Sequence, residues 1–414
     1  MVDCGRNPSR DRRIARSPAR RPGRRTGSCT VATAYVGTML DPNDRFASPA
    51  VRAVAAFSLP GTTTLVFPRA PLDESGWAEL IDAVTAERLL GLLLPAMTTG
   101  AFPVTPLQAK QLRELATDAV RYCLVLEGEL LRAAVLLSAA DVSLRVLKGP
   151  AAAALDYPDP TMRAFVDIDI LIRSEEFDRA VETLTRAGYV REHPQPRSGF
   201  DRRFSKGTSF ISPRGLALDV HRTFVMGPYG LKVHLDDLWA PGTTFRIAGQ
   251  PFIALSAEAR LLHACYHAAL GDWPRRILPH RDIAQIALTG MYDEPRFYEL
   301  TKRWQAEAVV ATSVALAWDL LGISDTNRLA TWASQFVPSV ADKRALDLYA
   351  RTDVNYATLS LAALGAVKGV QSKAAFLRSL AFPERAYVVG RHRSRVSRVV
   401  LGLAQTFTSG RKRH

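Results

Sequence analysis

The sequence predicts an α+β fold in which a small mixed sheet lies between an N-terminal and a C-terminal helical region. Three observations predict it. Residues Phe165–Ile172 alternate apolar side chains with two aspartates over the length of a strand. Apolar residues recur at helical spacing from Thr105 to about residue 140, and further helical patterns follow Ser256. A chain of 414 residues with 47% hydrophobic content is long enough for two or three globular domains.

The composition changes along the chain and suggests five segments. We expect the first to be disordered, because its Arg, Pro, Ser and Gly residues cannot bury a core, and Met39 is a candidate true start. The segments are a basic arm (1–48), a helical region (49–143), the sheet-bearing region (144–255), a second helical region (256–383) and a basic amphipathic tail (384–414).

The sheet-bearing region opens with an apolar run, Leu144–Leu147, that reads as a strand. The run ends at Gly149, and Pro150 suits the first turn of a following helix. The aspartate-bearing strand comes next, and a later strand-like run, 216–221, contains a third acid, Asp219. The predicted order is therefore strand, glycine turn, helix, aspartate-bearing strand, helix and a group of strands.

Asp167, Asp169 and Asp219 are the candidate catalytic and metal-binding residues. Side chains alternate faces along a strand, so Asp167 and Asp169 are expected on one face, about 7 Å apart at their Cα atoms. Paired carboxylates repel each other unless a cation joins them, and Mg²⁺ is usually held by one or two carboxylates together with substrate phosphates. The alternative is that the three acids lie on solvated faces of edge strands.

Four further residues are candidates for substrate binding. Backbone amides that follow Gly149 could hold a phosphate at a helix start. The planar guanidinium of Arg163 would suit a charge-rich transition state, although Arg163 could also be an ordinary loop residue. Lys148 could contact a phosphate or simply end its strand. His221 shares a strand face with Asp219 and is either a site residue or a polar neighbour.

The order of these residues resembles the nucleotidyltransferase superfamily that has a DNA polymerase β-like palm, the small sheet that carries the catalytic acids. More closely, it resembles the bacterial family of uncharacterised nucleotidyltransferases, whose members read LKG, an Arg, DxDLL and [DE]xH. The matching residues here are Lys148, Gly149, Arg163, Asp167, Asp169, Asp219 and His221. The resemblance covers about 80 residues, and a weaker one extends over 255–288. At the glycine turn the wider superfamily has a second small residue, where this chain has Pro150.

The resemblance implies a reaction class. Such a protein would transfer a nucleoside monophosphate from an NTP, with ATP as the expected donor, by two-metal chemistry with Mg²⁺, or Mn²⁺ in its place. Asp167 and Asp169 would bind both metals, and Asp219 would complete the site nearest the acceptor. The acceptor would be a hydroxyl group of a small molecule, a sugar or a protein. The competing hypothesis is a catalytically inactive nucleotide-binding or assembly protein that keeps the palm.

The net charge of +14 is concentrated at the two ends of the chain. Residues 1–28 and residues 384–414 each carry +7, which leaves the body neutral. A neutral body gives no electrostatic attraction for a polyanion, so no specific nucleic acid is expected and an RNA-tailing activity is disfavoured. The tail interleaves arginines with apolar residues, which suggests peripheral membrane contact or an ordinary C-terminal helix.

Cysteines and histidines give weaker indications. The four cysteines are scattered without metal-binding spacing, which favours a reduced, cytoplasmic setting. His263 and His267 share a helix face, but the glutamate that the zinc-protease motif places beside the first histidine is absent. We therefore expect these histidines to line the cleft or to pack between helices. No apolar run approaches about 18 residues, so no membrane span is expected.

Overall fold

A computed structural model describes residues 48–62, 65–271, 275–324, 327–350 and 356–388. The predicted basic arm lies outside this part of the chain except for Ser48, and the predicted tail lies outside it from residue 389 onwards. None of the described helices is both long enough and apolar enough to cross a bilayer.

Five strands form one mixed sheet. In chain order, the strands are β1 (Leu144–Val146), β2 (Ile168–Ile172), β3 (Val190–Arg191), β4 (Gly207–Ile211) and β5 (Ala217–His221). Their order in the sheet is β1-β2-β5-β4-β3, with β2 and β5 parallel and the other neighbours antiparallel. A separate hairpin of β6 (Thr244–Ile247) and β7 (Gln250–Ile253) lies beside β1. This arrangement confirms the predicted mixed sheet.

Helices precede and follow the sheet, as predicted. Those before it are α1 (Pro49–Ala56), α2 (Glu74–Ala86), α3 (Leu90–Thr98) and α4 (Pro106–Ser138). Those within the sheet region are α5 (Pro150–Asp156), α6 (Phe177–Arg186), α7 (Asp201–Phe204) and α8 (Pro228–Lys232). Those after it are α9 (Ala257–Leu270), α10 (Leu278–Thr289), α11 (Glu294–Arg303), α12 (Glu307–Leu320), α13 (Arg328–Gln335), α14 (Val340–Ala350), α15 (Tyr356–Ala363), α16 (Val370–Ala381) and α17 (Arg385–Val388).

The helix predicted from Thr105 to about residue 140 is confirmed as α4. It begins with a capping box, in which the Thr105 hydroxyl accepts from the Gln108 N–H at 3.2 Å. The Gln108 side chain in turn accepts from the Thr105 N–H at 2.9 Å. This reciprocal pair satisfies two backbone donors that a helix start would leave without partners.

The strand predicted for Phe165–Ile172 is shorter than expected, since β2 begins at Ile168. The backbone of Phe165 does not join the sheet, because its N–H and C=O both contact the Cys123 thiol on α4, at 3.4 and 3.5 Å. Asp167 therefore lies in a bend before the strand, and only Asp169 lies within the ladder.

The two helical regions share one hydrophobic core. Buried residues of α1 to α3, such as Val54 and Leu92, belong to the same cluster as Leu262 of α9 and Val310 of α12. A second cluster fills the space between the sheet and the helices α4, α5 and α6. The helices before and after the sheet thus form a single body, and the sheet lies against it.

The first residues of the predicted tail dock on the loop that follows β3. The Glu384 N–H donates to the Pro196 carbonyl at 2.7 Å, and a Glu384 carboxylate oxygen accepts from the Ser198 N–H at 3.1 Å. Arg197 donates to the Phe382 carbonyl at 2.7 Å. These contacts attach residues 382–384 to the sheet-bearing region.

We expect truncation after Val388 to separate membrane binding from stability. It removes seven Lys and Arg residues but keeps the Glu384 contacts. Each cation near an anionic bilayer contributes about 1 kcal/mol. Retention on anionic vesicles at low salt should therefore fall while the melting temperature stays unchanged. Truncation after Phe382, the matched control, should also lower the melting temperature. Undiminished vesicle binding after either cut would contradict a membrane role for the tail.

Candidate active site

The parallel pairing of β2 and β5 brings two acids face to face. Asp169 lies opposite Asp219 in the register, and Leu171 lies opposite His221. Asp169 is fully buried, and 24% of the Asp219 side chain remains exposed. The sheet thus presents one enclosed and one accessible carboxylate at neighbouring positions.

Asp169, Asp219 and His221 form a group that could hold a metal ion. Each offers one ligand atom, and the three atoms lie within 4.8 Å of one another. The His221 Nε2 atom is 2.9 Å from Asp169 Oδ1 and 4.0 Å from Asp219 Oδ2. Carboxylate oxygens are the ligands that Mg²⁺ and Mn²⁺ prefer. The donor set therefore fits such a cation, with the two carboxylates as ligands.

His221 orients Asp169. Its ring is buried, and within the described chain its Nδ1 atom has no hydrogen-bond partner, so its one polar contact of hydrogen-bond length is through Nε2. With the proton on Nε2, the ring donates to Asp169 and fixes the direction of that carboxylate; this tautomer is inferred from the hydrogen-bond partners.

Asp167 stands apart from this group. Its Oδ2 atom is 3.7 Å from the Lys148 ammonium nitrogen, which is itself 3.1 Å from Asp169 Oδ2. Its Oδ1 atom is 3.9 Å from an Arg88 guanidinium nitrogen. Lys148 therefore lies between the two aspartates that the sequence pattern paired.

The charges of Asp169 and Lys148 stabilise each other. Burial would raise the pKa of Asp169, but Lys148 and the hydrogen bond from His221 hold that pKa well below its usual range. Burial would lower the pKa of Lys148, but Asp169 and Asp167 outweigh it and raise the pKa above its ordinary value. The acid is thus an anion and the amine a cation at neutral pH.

Arg163 is buried in an ion pair with Asp282 of α10. Its Nη2 and Nε atoms donate to the two carboxylate oxygens at 2.8 and 3.3 Å, and the Tyr157 hydroxyl donates to the same carboxylate at 2.8 Å. Burial opposes the charge, yet the pair with Asp282 raises the pKa of Arg163 above its ordinary value. The guanidinium thereby joins the sheet region to the helical body. Arg163 also lines a cavity beside Lys148.

A basic cavity of about 230 Å³ opens beside Asp167. Its lining includes cationic side chains from three separate parts of the chain. They are Arg88, Lys148, Arg163, Arg275 and Arg276. His267 also lines it, and burial lowers the pKa of that imidazole well below its ordinary value, so the ring is neutral. The positive charge of the cavity suits a polyphosphate.

Arg88 is a lining residue that the sequence analysis missed. It occupies the turn between α2 and α3 with a left-handed φ of 61°, a conformation that side chains other than glycine seldom adopt. Burial lowers its pKa, and Asp167 opposes that shift. No motif surrounds Arg88 in the sequence, so only the fold reveals that it faces Asp167.

The glycine turn places the LKG segment against the aspartate bend. Gly149 has a φ of 59°, and an added Cβ would lie 3.4 Å from the Phe165 ring and 3.5 Å from the Asp167 carbonyl. Pro150, the first residue of α5, has no N–H, and the Ala151 N–H points to the Lys148 carbonyl at 3.4 Å. The turn therefore contributes a left-handed backbone position beside Lys148 and, at Pro150, no N–H donor.

A second cavity, of about 580 Å³, lies next to Asp219 and His221, and both residues line it. Lys206, Thr208 and Ser209 also line it, as do residues 193–196 and Tyr387. The basic cavity is lined by Asp167 and Lys148, whereas this one is lined by Asp219 and His221. The buried Asp169 lies between the two cavities, because it contacts Lys148 of the basic cavity and His221 of the second cavity.

His263 and His267 lie behind the site on α9. Their rings stack with centroids 6.4 Å apart, and His263 also packs on Phe224 at 4.6 Å. Burial, with the nearby Lys148, lowers the pKa of His263 to about 3. The His263 ring thus packs against the helical core, and the His267 ring lines the basic cavity.

The fold and the site define an α+β protein with acids on neighbouring strands beside an arginine-rich cavity. The chain belongs to the family of uncharacterised nucleotidyltransferases, whose sequence profile matches residues 73–322. This match confirms the family that the ordered motif predicted. Among solved structures, the chain is similar to an antigenic nucleotidyltransferase-like protein from Paracoccidioides brasiliensis, with 16% identity, 53% of this chain and 95% of that chain covered, and a TM-score of 0.31. No curated protein matches the chain.

Proposed function

We propose that this protein transfers a nucleoside monophosphate from an NTP to a hydroxyl group and releases pyrophosphate. One observation carries the proposal: the acidic group that could hold a metal lies between a basic cavity and a second, larger cavity. A transferase needs a donor and an acceptor on opposite sides of the reacting phosphorus. Family membership supplies the reaction class.

On the donor side, the basic cavity would bind the triphosphate. Arg88 and Arg276 line it from different elements and would contact phosphate oxygens that the leaving pyrophosphate carries away. Lys148 reaches the same cavity with 18% of its side chain exposed. The fork of Arg163 is already bonded to Asp282, so we assign Arg163 to positioning the cavity wall.

On the acceptor side, Asp219 faces the second cavity and would take the hydroxyl proton. The acceptor oxygen forms a bond to the α-phosphorus, the bond between that phosphorus and the bridging oxygen to the β-phosphate breaks, and the proton passes to the Asp219 carboxylate and then to solvent. His221 keeps the neighbouring Asp169 oriented during this exchange. General bases in such positions contribute about 10²- to 10⁴-fold.

Asp169 and Asp219 would hold a divalent cation, Mg²⁺ or Mn²⁺. When bound, such a cation lowers the pKa of an attacking hydroxyl and neutralises charge on the transferring phosphoryl group. The residues of this chain bind and orient it: Asp169 from within the sheet, Asp219 from the accessible side, and His221 through its hydrogen bond to Asp169.

The finer parts of the proposal rest on the sequence resemblance. They are ATP as the donor, a palm of the DNA polymerase β-like superfamily, a cytoplasmic setting, and a small molecule, sugar or protein as the acceptor. The neutral charge of the chain body argues against a specific nucleic acid.

A second candidate is a nucleotide-binding or assembly protein without catalytic activity. Two observations favour it. Arg163 is bonded to Asp282 and so is not free to clamp a phosphate, and Pro150 supplies no N–H at the turn where the superfamily has a further donor. Such a protein would bind an NTP in the basic cavity and release no pyrophosphate.

Pyrophosphate release from each of the four NTPs tests the proposal. The assay would use Mg²⁺ or Mn²⁺ and supply small-molecule and protein fractions of a cell lysate as acceptors. We expect release with at least one NTP, and Asp219→Asn should reduce it at least about 10²-fold because the proton acceptor is lost. Asp236→Asn is the matched control, since Asp236 is an exposed acid that lines neither cavity. NTP binding without any release would support the second candidate instead.

A further inference from the structure

We propose that the Lys148 ammonium group is a built-in second cation of the acidic cluster, so that without nucleotide the protein binds one divalent cation, at Asp169 and Asp219. The family resemblance implied two metals, both bound by Asp167 and Asp169. The inference rests on the proposed function for its chemical meaning, but it concerns cation binding, which can be measured without any turnover.

The position between Asp167 and Asp169 is already taken. The Lys148 nitrogen lies 3.1 Å from Asp169 Oδ2 and 3.7 Å from Asp167 Oδ2. Mg²⁺ binds oxygen at about 2.0–2.1 Å, so an ion that joined these two oxygens would lie beside the ammonium group and would be repelled by its positive charge. The remaining oxygens face other partners, His221 Nε2 at 2.9 Å from Asp169 and Arg88 at 3.9 Å from Asp167.

Asp219 offers the contrasting environment. Within the described chain, the Nε2 atom of His221 lies 4.0 Å from Asp219 Oδ2, and 24% of the Asp219 side chain is exposed on the side of the second cavity. An entering cation can therefore reach Asp219 and the adjacent Asp169 without displacing a charged side chain. The cluster thus divides into one open position and one position filled by Lys148.

The fold restrains Lys148 in this place. The residue before it extends the sheet, with the Leu147 N–H donating to the Asp169 carbonyl at 3.0 Å. The residue after it, Gly149, has a left-handed φ of 59°, a conformation that side chains other than glycine seldom adopt. Within the part of the chain that the structure describes, Asp167 and Asp169 are the carboxylates that pair with Lys148.

A fixed ammonium can do part of what a second metal would do. It carries three N–H donors and a full positive charge, and its nitrogen lies 3.1 and 3.7 Å from the two carboxylates. It can also donate to a phosphate oxygen, because Lys148 lines the basic cavity. Lys148 would thereby connect the aspartates to the donor phosphates and neutralise charge there.

Counting bound Mn²⁺ tests this inference. Electron paramagnetic resonance of the nucleotide-free, full-length protein should give one bound Mn²⁺ per chain. Asp219→Asn should weaken that binding at least about 10²-fold, since it removes a ligand. Asp167→Asn, the matched substitution on the other side of Lys148, should keep the count at one and change the affinity less than about fivefold.

Lys148→Met gives the complementary result. Because the position between Asp167 and Asp169 is then free, this variant should bind two Mn²⁺ ions per chain. The Lys148→Met/Asp167→Asn double variant lacks one of those two carboxylates and should bind one Mn²⁺ ion again. Zero or two Mn²⁺ ions in the unmodified protein, or loss of an ion on Asp167→Asn, would overturn the inference. So would a folded Lys148→Met variant that still binds one ion. If that variant does not fold, the unmodified protein and Asp167→Asn decide the matter. Because no NTP is present, the number of bound Mn²⁺ ions tests this inference independently of whether pyrophosphate release is found.

Discussion

Asp169→Asn is expected to reduce metal-dependent pyrophosphate release at least about 10³-fold, since the proposed metal site would lose one of its two carboxylates and with it several kcal/mol of transition-state stabilisation. Asp169 is the acid that contacts both Lys148 and His221, so its loss removes a partner from each of them. Initial rates of release for the variant and the unmodified protein measure the effect.

The same substitution should also lower the free energy of unfolding, by about 1–3 kcal/mol. The sequence pattern alone suggests a small gain, because one of two like charges is removed. The ammonium of Lys148 reverses that expectation, since it loses its 3.1 Å partner and keeps Asp167 at 3.7 Å. Denaturant unfolding measures this, with Asp236→Asn as the control. Normal turnover in a folded Asp169→Asn protein would contradict the mechanism.

Arg163→Met should destabilise the protein by about 3–5 kcal/mol, because it leaves Asp282 buried without its cationic partner. The pair is bidentate and enclosed, with 3% and 9% of the two side chains exposed. Removing both charges, in Arg163→Met/Asp282→Leu, should restore part of the loss, although the Tyr157 hydroxyl would still lack its acceptor. Denaturant midpoints of the two variants provide the measurement.

The alternative role of Arg163, as a phosphate clamp, predicts different effects on stability and on NTP binding. A phosphate clamp would leave stability nearly unchanged in Arg163→Met and would raise KM for the NTP. If Arg163→Met alone does not fold, the milder Asp282→Asn variant tests the same pair. A stable Arg163→Met protein with weakened NTP binding would show that the ion pair with Asp282 is secondary to a role in binding.

The parts of the site that follow local rules could be predicted from the sequence. Asp169 and Asp219 each lie in a short apolar run, and two such strands that pair in parallel bring their acids together. The turn at Gly149 was also predictable, because glycine precedes Pro150 between a strand and a helix. Both features depend on neighbours within a few residues.

The remaining parts depend on contacts between distant segments. The strand starts at Ile168 instead of Phe165 because Cys123, 42 residues earlier, bonds the Phe165 backbone. Arg163 is paired with Asp282, 119 residues later, and no local pattern indicates that partner. The cations of the basic cavity come from three separate segments, so their convergence is a property of the helical body and not of any motif.

The most direct test of nucleotidyl transfer compares two radiolabelled forms of the same NTP. We predict that label from the α-phosphate moves to the acceptor while label from the γ-phosphate leaves as pyrophosphate, and that Asp219→Asn slows both at least about 10²-fold. Transfer of the γ-label to an acceptor, or release of the γ-label as inorganic phosphate without α-label transfer, would contradict the account.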